Sequence, residues 1–393
     1  MKTAGIVAEY NPFHNGHKYH IERTKLLTGA DSVAVVMSGN FIQRGETAVM
    51  SKWARAECAV ENGADLVIEL PTVWSIARAQ SFSEGAVSLL HALGVDVISF
   101  GSESGDIDAL TTAASALNDE KVLALLQRNL EKGMSFASAR AEAVRLLYGE
   151  KCFEILNEPN NILGMEYILA NRGEAELFTV KRFGAEHDGN SHEGEFSSAS
   201  QIRKMMLENE DFSAFVPENT KKIFEREKGN GTAPVSYREL EKSILCRMRQ
   251  LTAREIAQAP DVSEGIENRI HDAAKQARSL DELFTLAKTK RYPHARIRRI
   301  VLASFLGITK KAGEGQSPYI KVLAMNEKGR EILREAKKKA SLPIITKAAD
   351  AEKLNESAKK MYELESVFTD IYSLAAPEVQ PCGREKTEKL IVK

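Results

Sequence analysis

The chain of 393 residues is poor in cysteine and has no long apolar run. Its four cysteines, which include no CxxC pair, are Cys58, Cys152, Cys246 and Cys382. This spacing argues against a thiolate zinc site and a disulfide scaffold, and it favours a reducing, cytoplasmic location. The first apolar stretch is interrupted by Glu9 and Asn11, so we expect no signal peptide. No run reaches the roughly eighteen apolar residues of a membrane span, so we expect no membrane partner.

The chain also lacks an excess of either charge. It has 54 basic and 55 acidic residues and a formal net charge of -1. No global field would therefore attract nucleic acid or a membrane, and any site for a polyanion must be a local patch. The length exceeds that of one typical domain, which predicts two domains.

Short apolar runs recur in the first half of the chain at intervals of about thirty residues, the spacing of βαβ units. The runs are TAGIVAEY, DSVAVVMS, ADLVIELP, DVISFGS and, after a longer gap, ELFTVKRF. They are rich in β-branched residues and apolar on both faces, which is typical of buried parallel strands. Helical patterns lie between them. Residues 1–205 are therefore predicted to form an α/β domain with a doubly wound parallel sheet.

The strand pattern stops after about residue 205. Segments such as SEGIENRIHDAAKQARS and SLDELFTLAKT place apolar residues at helical spacing with charges between them. SPYIKVLAMN, EKGREILREAKKKA and LPIITKA follow one another as a strand, a helix and a strand. We predict a second, mainly helical domain over residues 206–393 that contains this small βαβ unit.

The sequence HNGH at residues 14–17 follows the first predicted strand and precedes a helix predicted to begin near His17. Free backbone N–H groups and the helix dipole make such a position suitable for a phosphate. Gly16 allows close approach of a nucleotide. The imidazoles of His14 and His17 can donate hydrogen bonds to oxygens that gain charge during displacement at phosphorus. We predict that both are catalytic, although they could instead be a helix cap and a surface residue.

Two further interpretations apply to the histidines of this segment. His20 lies one turn beyond His17 and fits a helix-packing or solvated residue better than a catalytic one. A metal site built from the histidines would need carboxylate or thiolate partners, such as Glu9, in a suitable geometry. We expect no metal ion held by protein ligands.

HxGH after the first strand of a doubly wound sheet resembles the signature of the nucleotidyltransferase superfamily, which shares its fold with class I aminoacyl-tRNA synthetases. A second superfamily motif, ISSTxIR, is similar to SSASQIR at residues 197–203. Ser198, Ser200, Ile202 and Arg203 match it, whereas Ser197 and Ala199 depart from it. The resemblance implies a nucleotidyltransferase-like Rossmann domain that binds ATP and acts at its α-phosphate while pyrophosphate leaves.

A more specific resemblance extends across nearly the whole chain. The segments GIVAEYNPFHNGH, VMSGNFIQRGE, GADLVIELP, FGSESGDI, PNNILGMEYI and KRYPHARIRR strongly resemble the bacterial tRNA(Met) cytidine acetate ligase family. This resemblance implies an enzyme that activates acetate with ATP as acetyl-adenylate. The acetyl group then passes to the exocyclic amine of the wobble cytidine in elongator tRNA(Met). No stable protein partner is implied.

The resemblance also assigns site residues and a cofactor. ATP contact is implied for Val7, Ala8, Glu9, Tyr10, Asn11, Pro12, Phe13, His14, Asn15, Gly16, His17, Lys18, Tyr19, His20, Gly101, Asn160, Asn161 and Arg182. Ser198 and Ser200 are expected to hold the β and γ phosphates. Arg44 is a further cationic candidate without an assigned role. Mg²⁺ is expected to be carried by ATP, because this ion prefers phosphates and water.

A stretch without acidic residues, at 286–311, is the candidate RNA-binding surface. The basic residues predicted to bind tRNA are Lys288, Lys290, Arg291, Arg296, Arg298 and Arg299. They could instead be a solvated helix face. As a polyanion site they would neutralise phosphates, and Tyr292 or His294 could stack on an exposed base.

Two other functions fit part of the sequence. A small-metabolite adenylyltransferase, acting on a phosphorylated substrate, would also use HxGH, but it would not need a large helical domain with a basic segment. A non-catalytic RNA-binding protein would need the segment but not the intact HNGH. Salt-sensitive binding of tRNA and turnover of ATP would separate these alternatives.

Overall fold

The structure is a computed structural model, and it describes residues 1–182, 196–263, 265–289, 292–339 and 342–393. The strands are β1 Thr3–Ala8, β2 Ser32–Ser38, β3 Phe41–Ile42, β4 Glu46–Thr47, β5 Leu66–Leu70, β6 Val97–Ser102, β7 Glu176–Lys181, β8 Ile320–Met325, β9 Ile344–Ile345 and β10 Ile391–Val392. Within the described ranges, no helix is both long and apolar enough to cross a membrane.

The helices alternate with the strands in the first half and dominate the second. They are α1 Asn15–Thr28, α2 Lys52–Glu61, α3 Thr72–Ser75, α4 Ala79–Leu93, α5 Ile107–Ala116, α6 Glu120–Glu131, α7 Phe136–Tyr148, α8 Glu150–Ile155, α9 Pro159–Asn171, α10 Ala199–Glu208, α11 Glu218–Gly229, α12 Glu241–Gln250, α13 Ala253–Ile256, α14 Ile266–Gln276, α15 Leu280–Ala287, α16 His294–Leu306, α17 Glu327–Lys339, α18 Glu356–Ser373 and α19 Arg384–Thr387.

The central sheet has the strand order β10-β8-β5-β2-β1-β6-β7, with β9 attached to β8. The neighbours from β5 to β7 pair in parallel, and the register of β1 with β2 runs from Thr3 opposite Ser32 to Ala8 opposite Met37. Every residue of β2 and β5 is buried, which explains why their sequences are apolar throughout. The five predicted strands and their parallel arrangement are confirmed.

An apolar core lies on each face of the sheet. Successive side chains of a strand point to opposite faces, and β2 accordingly gives Ala34 and Val36 to one core and Val33 and Val35 to the other. Helix α4 packs into the first core, whereas α1, α2 and α10 pack into the second. The sheet is therefore doubly wound, as predicted. Helices α12, α14, α15 and α16 of the second half extend the first core.

The predicted βαβ unit is formed by β8, α17 and β9, and β9 pairs in parallel with β8. The unit is not confined to the helices of the second half, because β8 also pairs antiparallel with β5 of the central sheet. All six residues of β8 are buried. Pairing with β5 satisfies one backbone edge of β8, which would otherwise be open to pairing with other strands. Strand β10 then adds to β8. The domain boundary at residue 205 stays a prediction, and the sheet takes strands from both sides of it.

Four buried charged residues join these late elements to the sheet. The Nζ atom of Lys52 lies 2.6 Å from Oε1 of Glu69 and 2.8 Å from Oε2 of Glu385. Lys321 of β8 contacts the same two carboxylates, at 3.5 Å for Glu69. All four side chains are at most 7% exposed. We call these four residues the buried ion cluster.

Candidate functional site

A pocket of about 420 Å³ lies at the carboxyl ends of β1, β6 and β7, next to the start of α10. This is the edge at which doubly wound sheets bind ligands. It brings together fourteen of the predicted ATP-site residues. They are Val7, Ala8, Glu9, Tyr10, His14, Gly16, His17, Tyr19, His20, Gly101, Asn160, Arg182, Ser198 and Ser200.

His14 and His17 cap helix α1 and also line the pocket. The helix begins at Asn15 rather than near His17, with His14 as the N-cap. Nδ1 of His14 accepts a hydrogen bond from the Gly16 N–H at 3.1 Å, and Nδ1 of His17 accepts one from the His14 N–H at 3.2 Å. The two rings stack with centroids 3.6 Å apart. His14 and His17 are therefore both helix-capping residues and pocket residues.

This capping arrangement fixes which ring nitrogen carries the proton. A neutral imidazole has one donor and one acceptor nitrogen, and Nδ1 is the acceptor in both rings. Each ring therefore presents Nε2–H as a donor. Burial, reinforced by Arg182 and Arg203, lowers the pKa of His14 to about 3. Burial and the neighbouring His14 also hold the pKa of His17 well below its ordinary value, so both rings are neutral donors near pH 7.

Gly16 has a steric role that the sequence did not reveal. A Cβ atom at this position would lie 2.9 Å from Cε1 of His14. The His14 ring lies over the glycine because its Nδ1 accepts the Gly16 N–H. A side chain at residue 16 would therefore displace the imidazole from its capping position.

The start of α10 supplies hydroxyls and guanidinium groups to the pocket. Ser198 is the N-cap, and its Oγ accepts a hydrogen bond from the Gln201 N–H at 3.1 Å. Ser200 Oγ lies 3.1 Å from Nη2 of Arg203 and 3.4 Å from Nη1 of Arg44. A helix start with two arginines beside it is suited to the terminal phosphates of a nucleotide.

The residues on the β6 side of the pocket form a polar rim. Asn160 Nδ2 donates to Glu103 Oε1 at 2.5 Å, and Asn160 Oδ1 lies 3.5 Å from Nη1 of Arg182. A Cβ on Gly101 would lie 3.4 Å from the Arg182 side chain. Gly101, which has no side chain, and the Asn160 amide thus both lie beside the Arg182 side chain, a combination that suits a base or ribose.

Six predicted ATP-site residues are not among the side chains that line the pocket. They are Asn11, Pro12, Phe13, Asn15, Lys18 and Asn161. Asn11 and Asn161 accept from backbone N–H groups of Val49 and Glu103, so their amides hold loops in place. Phe13 is fully buried, and Lys18 is exposed. The structure gives these residues supporting positions, and their contact with ATP stays a prediction.

His20 lines the pocket but is also bound to the sheet. Its Nε2 lies 3.0 Å from Ser99 Oγ, and that hydroxyl lies 2.7 Å from Oγ1 of Thr24. Burial and the charge of Arg182 lower the pKa of His20 to about 4. The packing interpretation of this histidine agrees with these contacts.

Several pocket residues were absent from the predicted site. Phe82 of α4 and Tyr167 of α9 form part of an apolar wall, and Gln43 and Arg203 line the polar side. The sequence signal for the aromatic pair was only helical spacing, which is equally typical of a core. Arg203 was present in the SSASQIR match but received no role.

The predicted RNA-binding arginines on α16 already have carboxylate partners. Arg298 pairs with Glu46, and Arg299 Nη2 lies 2.7 Å from Oδ2 of Asp261. Arg296 Nε lies 3.7 Å from the same aspartate. Lys288 is exposed, whereas Lys290 and Arg291 lie outside the described residues. The local sequence has no acid, but the fold supplies acids from other segments.

No group of three or more His, Cys, Asp and Glu side chains in the described part of the chain is placed to hold a metal ion.

Comparison with known proteins identifies the family. The model of a family described as HIGH Nucleotidyl Transferase matches residues 1–387. A tRNA(Met) cytidine acetate ligase of Thermoanaerobacter sp. (strain X514) is 41% identical over 404 residues, with 100% of both chains covered. A protein of the same name from Caldanaerobacter subterraneus subsp. tengcongensis is 44% identical over 386 residues, covering 95% of this chain and 96% of that protein.

Solved structures agree with this comparison. The crystal structure of Thermotoga maritima TmcAL bound with alpha-thio ATP has a TM-score of 0.92 and 36% identity, with 100% of both chains covered. Its apo form has a TM-score of 0.94 and 37% identity over the same coverage. The chain belongs to the tRNA(Met) cytidine acetate ligase family, within the HIGH nucleotidyltransferases.

Proposed function

We propose that this chain activates acetate with ATP as acetyl-adenylate and transfers the acetyl group to the wobble cytidine of elongator tRNA(Met). Family membership supports this function, as does the alpha-thio ATP in a relative of the same fold. The observation within this chain that carries the proposal is the stacked pair of His14 and His17, each presenting Nε2–H at the start of α1. Such a pair fits displacement at a phosphate.

In the first step, an acetate oxygen attacks the α-phosphorus of ATP and pyrophosphate leaves. The two Nε2–H groups donate to phosphate oxygens as these gain charge. Because both rings are neutral, they stabilise the charge without repelling the cationic side of the pocket. Arg203 and Arg44, beside Ser200, are placed to bind the departing pyrophosphate.

Mg²⁺ is proposed to enter with ATP. It would take its ligands from the phosphates and from water, as this ion commonly does. The ion would neutralise part of the charge on the triphosphate.

In the second step, the cytidine amine attacks the carbonyl carbon of the adenylate and AMP leaves. The base must leave the anticodon loop to reach the pocket. We propose that tRNA contacts the surface around Lys288 and α16, including Arg296, Arg298 and Arg299, and that Lys290 and Arg291 also bind it. The paired arginines would exchange a carboxylate for a phosphate on binding. A cytosolic location follows from this substrate.

The direct test incubates the protein with ATP, labelled acetate and tRNA(Met), and measures acetylated cytidine by mass spectrometry. We expect label in the tRNA and a loss of at least about 100-fold for His14→Ala and for His17→Ala, the usual cost of removing a donor to a charged transition state. Glu22→Ala is the matched control, because Glu22 lies on α1 with a side chain 62% exposed and is outside the predicted ATP site. Absence of acetylated cytidine with the native protein would reject the function. Transfer of AMP to a phosphorylated metabolite would favour an adenylyltransferase instead.

A further inference from the structure

Glu9 is the only acidic residue among the described residues that line the pocket. The other charged residues of the lining are Arg44, Lys181, Arg182 and Arg203. A carboxylate repels the phosphates that this cationic set attracts. The side chain of Glu9 is therefore better suited to a hydrogen-bond donor on a second substrate than to the triphosphate.

Glu9 is held in place by one hydrogen bond to its carboxylate and one to its backbone. Its Oε1 accepts a hydrogen bond from the Gln43 N–H at 3.0 Å. Its backbone carbonyl accepts one from the guanidinium of Arg55, which is itself fully buried. Oε2 accepts no hydrogen bond from any described residue. Among the described residues, one carboxylate oxygen is thus fixed and the other has no hydrogen-bond partner.

The hydrogen bond that fixes the Glu9 carboxylate comes from a segment other than the polar rim. Strand β1 lies between β2 and β6, and neighbouring strands are about 4.8 Å apart. The bond to Gln43 ties the carboxylate to the turn between β3 and β4, whereas Gly101 lies near the end of β6 and Asn160 lies on α9 beside it. An adenine seated on the β6 rim would leave Glu9 to another substrate.

The turn that holds Glu9 also contacts α16, the proposed RNA-binding helix. Gly45 has a φ of 77°, and a Cβ there would lie 2.7 Å from the carbonyl carbon of Arg298. Glu46 of the same turn pairs with Arg298. A nucleotide that extends from RNA on α16 into the pocket would therefore pass Gln43 and arrive at Glu9.

We propose that Glu9 Oε2 accepts a hydrogen bond from the exocyclic amine of the target cytosine and takes its proton during acetyl transfer. Glutamate is a common acceptor for the cytosine N4 amine. The nitrogen lone pair forms the new C–N bond, and the bond from the carbonyl carbon to the adenylate oxygen breaks. AMP leaves with that electron pair, Oε2 receives one amine proton, and the proton then passes to water. This inference rests on the proposed function and makes Glu9 a catalytic residue of its second step.

The test compares the two half-reactions in Glu9→Gln, which keeps the shape of the side chain and an oxygen for the Gln43 N–H. Acetate-dependent exchange of pyrophosphate into ATP reports adenylate formation. Single-turnover transfer of labelled acetyl from the adenylate to tRNA reports the second step. We expect transfer to fall at least about 100-fold more than exchange, within the range for loss of a general base. Glu22→Gln is the matched control, because Glu22 is 62% exposed on α1.

A strong nucleophile provides a second readout. Hydroxylamine reacts with acyl-adenylates without help from a protein base, so Glu9→Gln should still form acetohydroxamate from ATP and acetate. Glu9→Asp keeps the charge but withdraws the carboxylate by one methylene, and it should also lose transfer to tRNA. Binding of tRNA, measured by filter retention, should change less than threefold in both variants.

Three outcomes would overturn the assignment. Equal losses in exchange and transfer would place Glu9 in the ATP or acetate step. If Glu9→Gln raised KM for ATP but left KM for inosine triphosphate unchanged, Glu9 would contact the adenine amine instead. Transfer within threefold of the native rate would exclude a base at this position. Failure of the proposed function itself differs from all three, because the native protein would then show neither exchange nor acetylated tRNA.

Discussion

Replacement of Lys52 by methionine tests the energetic role of the buried ion cluster. The side chain is 1% exposed and lies within 3 Å of carboxylate oxygens on Glu69 and Glu385. Its loss leaves two buried carboxylates facing one ammonium, and breaking a buried pair in this way costs about 3–5 kcal/mol. Burial and the charge of Lys52 lower the pKa of Lys321 to about 7. Without Lys52, Lys321 should hold its proton more firmly, which places the expected cost near 3 kcal/mol.

The assay is thermal and urea unfolding at pH 7. The entropy of unfolding of a 393-residue chain is about 0.8 kcal/mol/K at roughly 2.1 cal/mol/K per residue, so Tm should fall by about 4 °C. Lys18→Met, which removes an exposed partner 4.0 Å from Glu22, should cost less than about 0.5 kcal/mol. Adding Glu385→Gln to Lys52→Met should recover part of the loss. A cost below about 1 kcal/mol for Lys52→Met alone would refute the reasoning.

Three other predictions concern the site and its surroundings. The pKa of His20 is lowered to about 4, so between pH 6.5 and 5 the unfolded chain binds a proton that the folded protein does not, and the free energy of unfolding should fall over this range. His20→Gln should make the fall smaller in urea titrations. An unchanged dependence on pH would contradict this prediction. Lys288→Ala should weaken tRNA binding and reduce the slope of log K against log salt by about 0.7–0.9. Arg299→Ala leaves Asp261 with only the longer contact to Arg296 and should lower Tm more than affinity. The reverse ranking would argue against RNA contact at Lys288. Gly164→Ala would place a Cβ 2.6 Å from Phe100 and should lower the free energy of unfolding by about 1–3 kcal/mol. It should also raise KM for ATP in the exchange assay. A variant with unchanged stability and KM would show that Phe100 can move aside without cost.

The part of the site that the sequence predicted depends on short-range relations. His14 and His17 could be placed because a strand, a turn and a helix follow one another directly, so local order determines where they lie. The same holds for Ser198 at the start of α10. Their double role as cap and pocket residues could not be predicted from the sequence, because it depends on the orientation of the rings and not on the spacing of the residues.

The parts that the sequence did not predict involve partners distant in the chain. The segment 286–311 contains no acid, yet Glu46 and Asp261 pair with its arginines across the fold. The family resemblance assigns Asn161 to ATP, a prediction that stands, but no sequence pattern indicated that its side-chain oxygen accepts hydrogen bonds from the loop after β6. The antiparallel placement of β8 likewise depends on the open edge of β5, which no local pattern reports.

The attachment of β8 to β5 bears on how the chain can be assembled during synthesis. The nucleotide pocket is built almost entirely from residues before 205, yet the edge of its sheet and half of the buried ion cluster come from residues 321–392. A ribosome that has released only the first half has produced a sheet with an open edge and Glu69 without the ammonium of Lys321. Such a nascent chain would be exposed to strand pairing with other chains. The sheet is therefore complete only after β8 and β10 have been synthesised, and a nonsense mutation shortly before β8 would remove a strand of the central sheet.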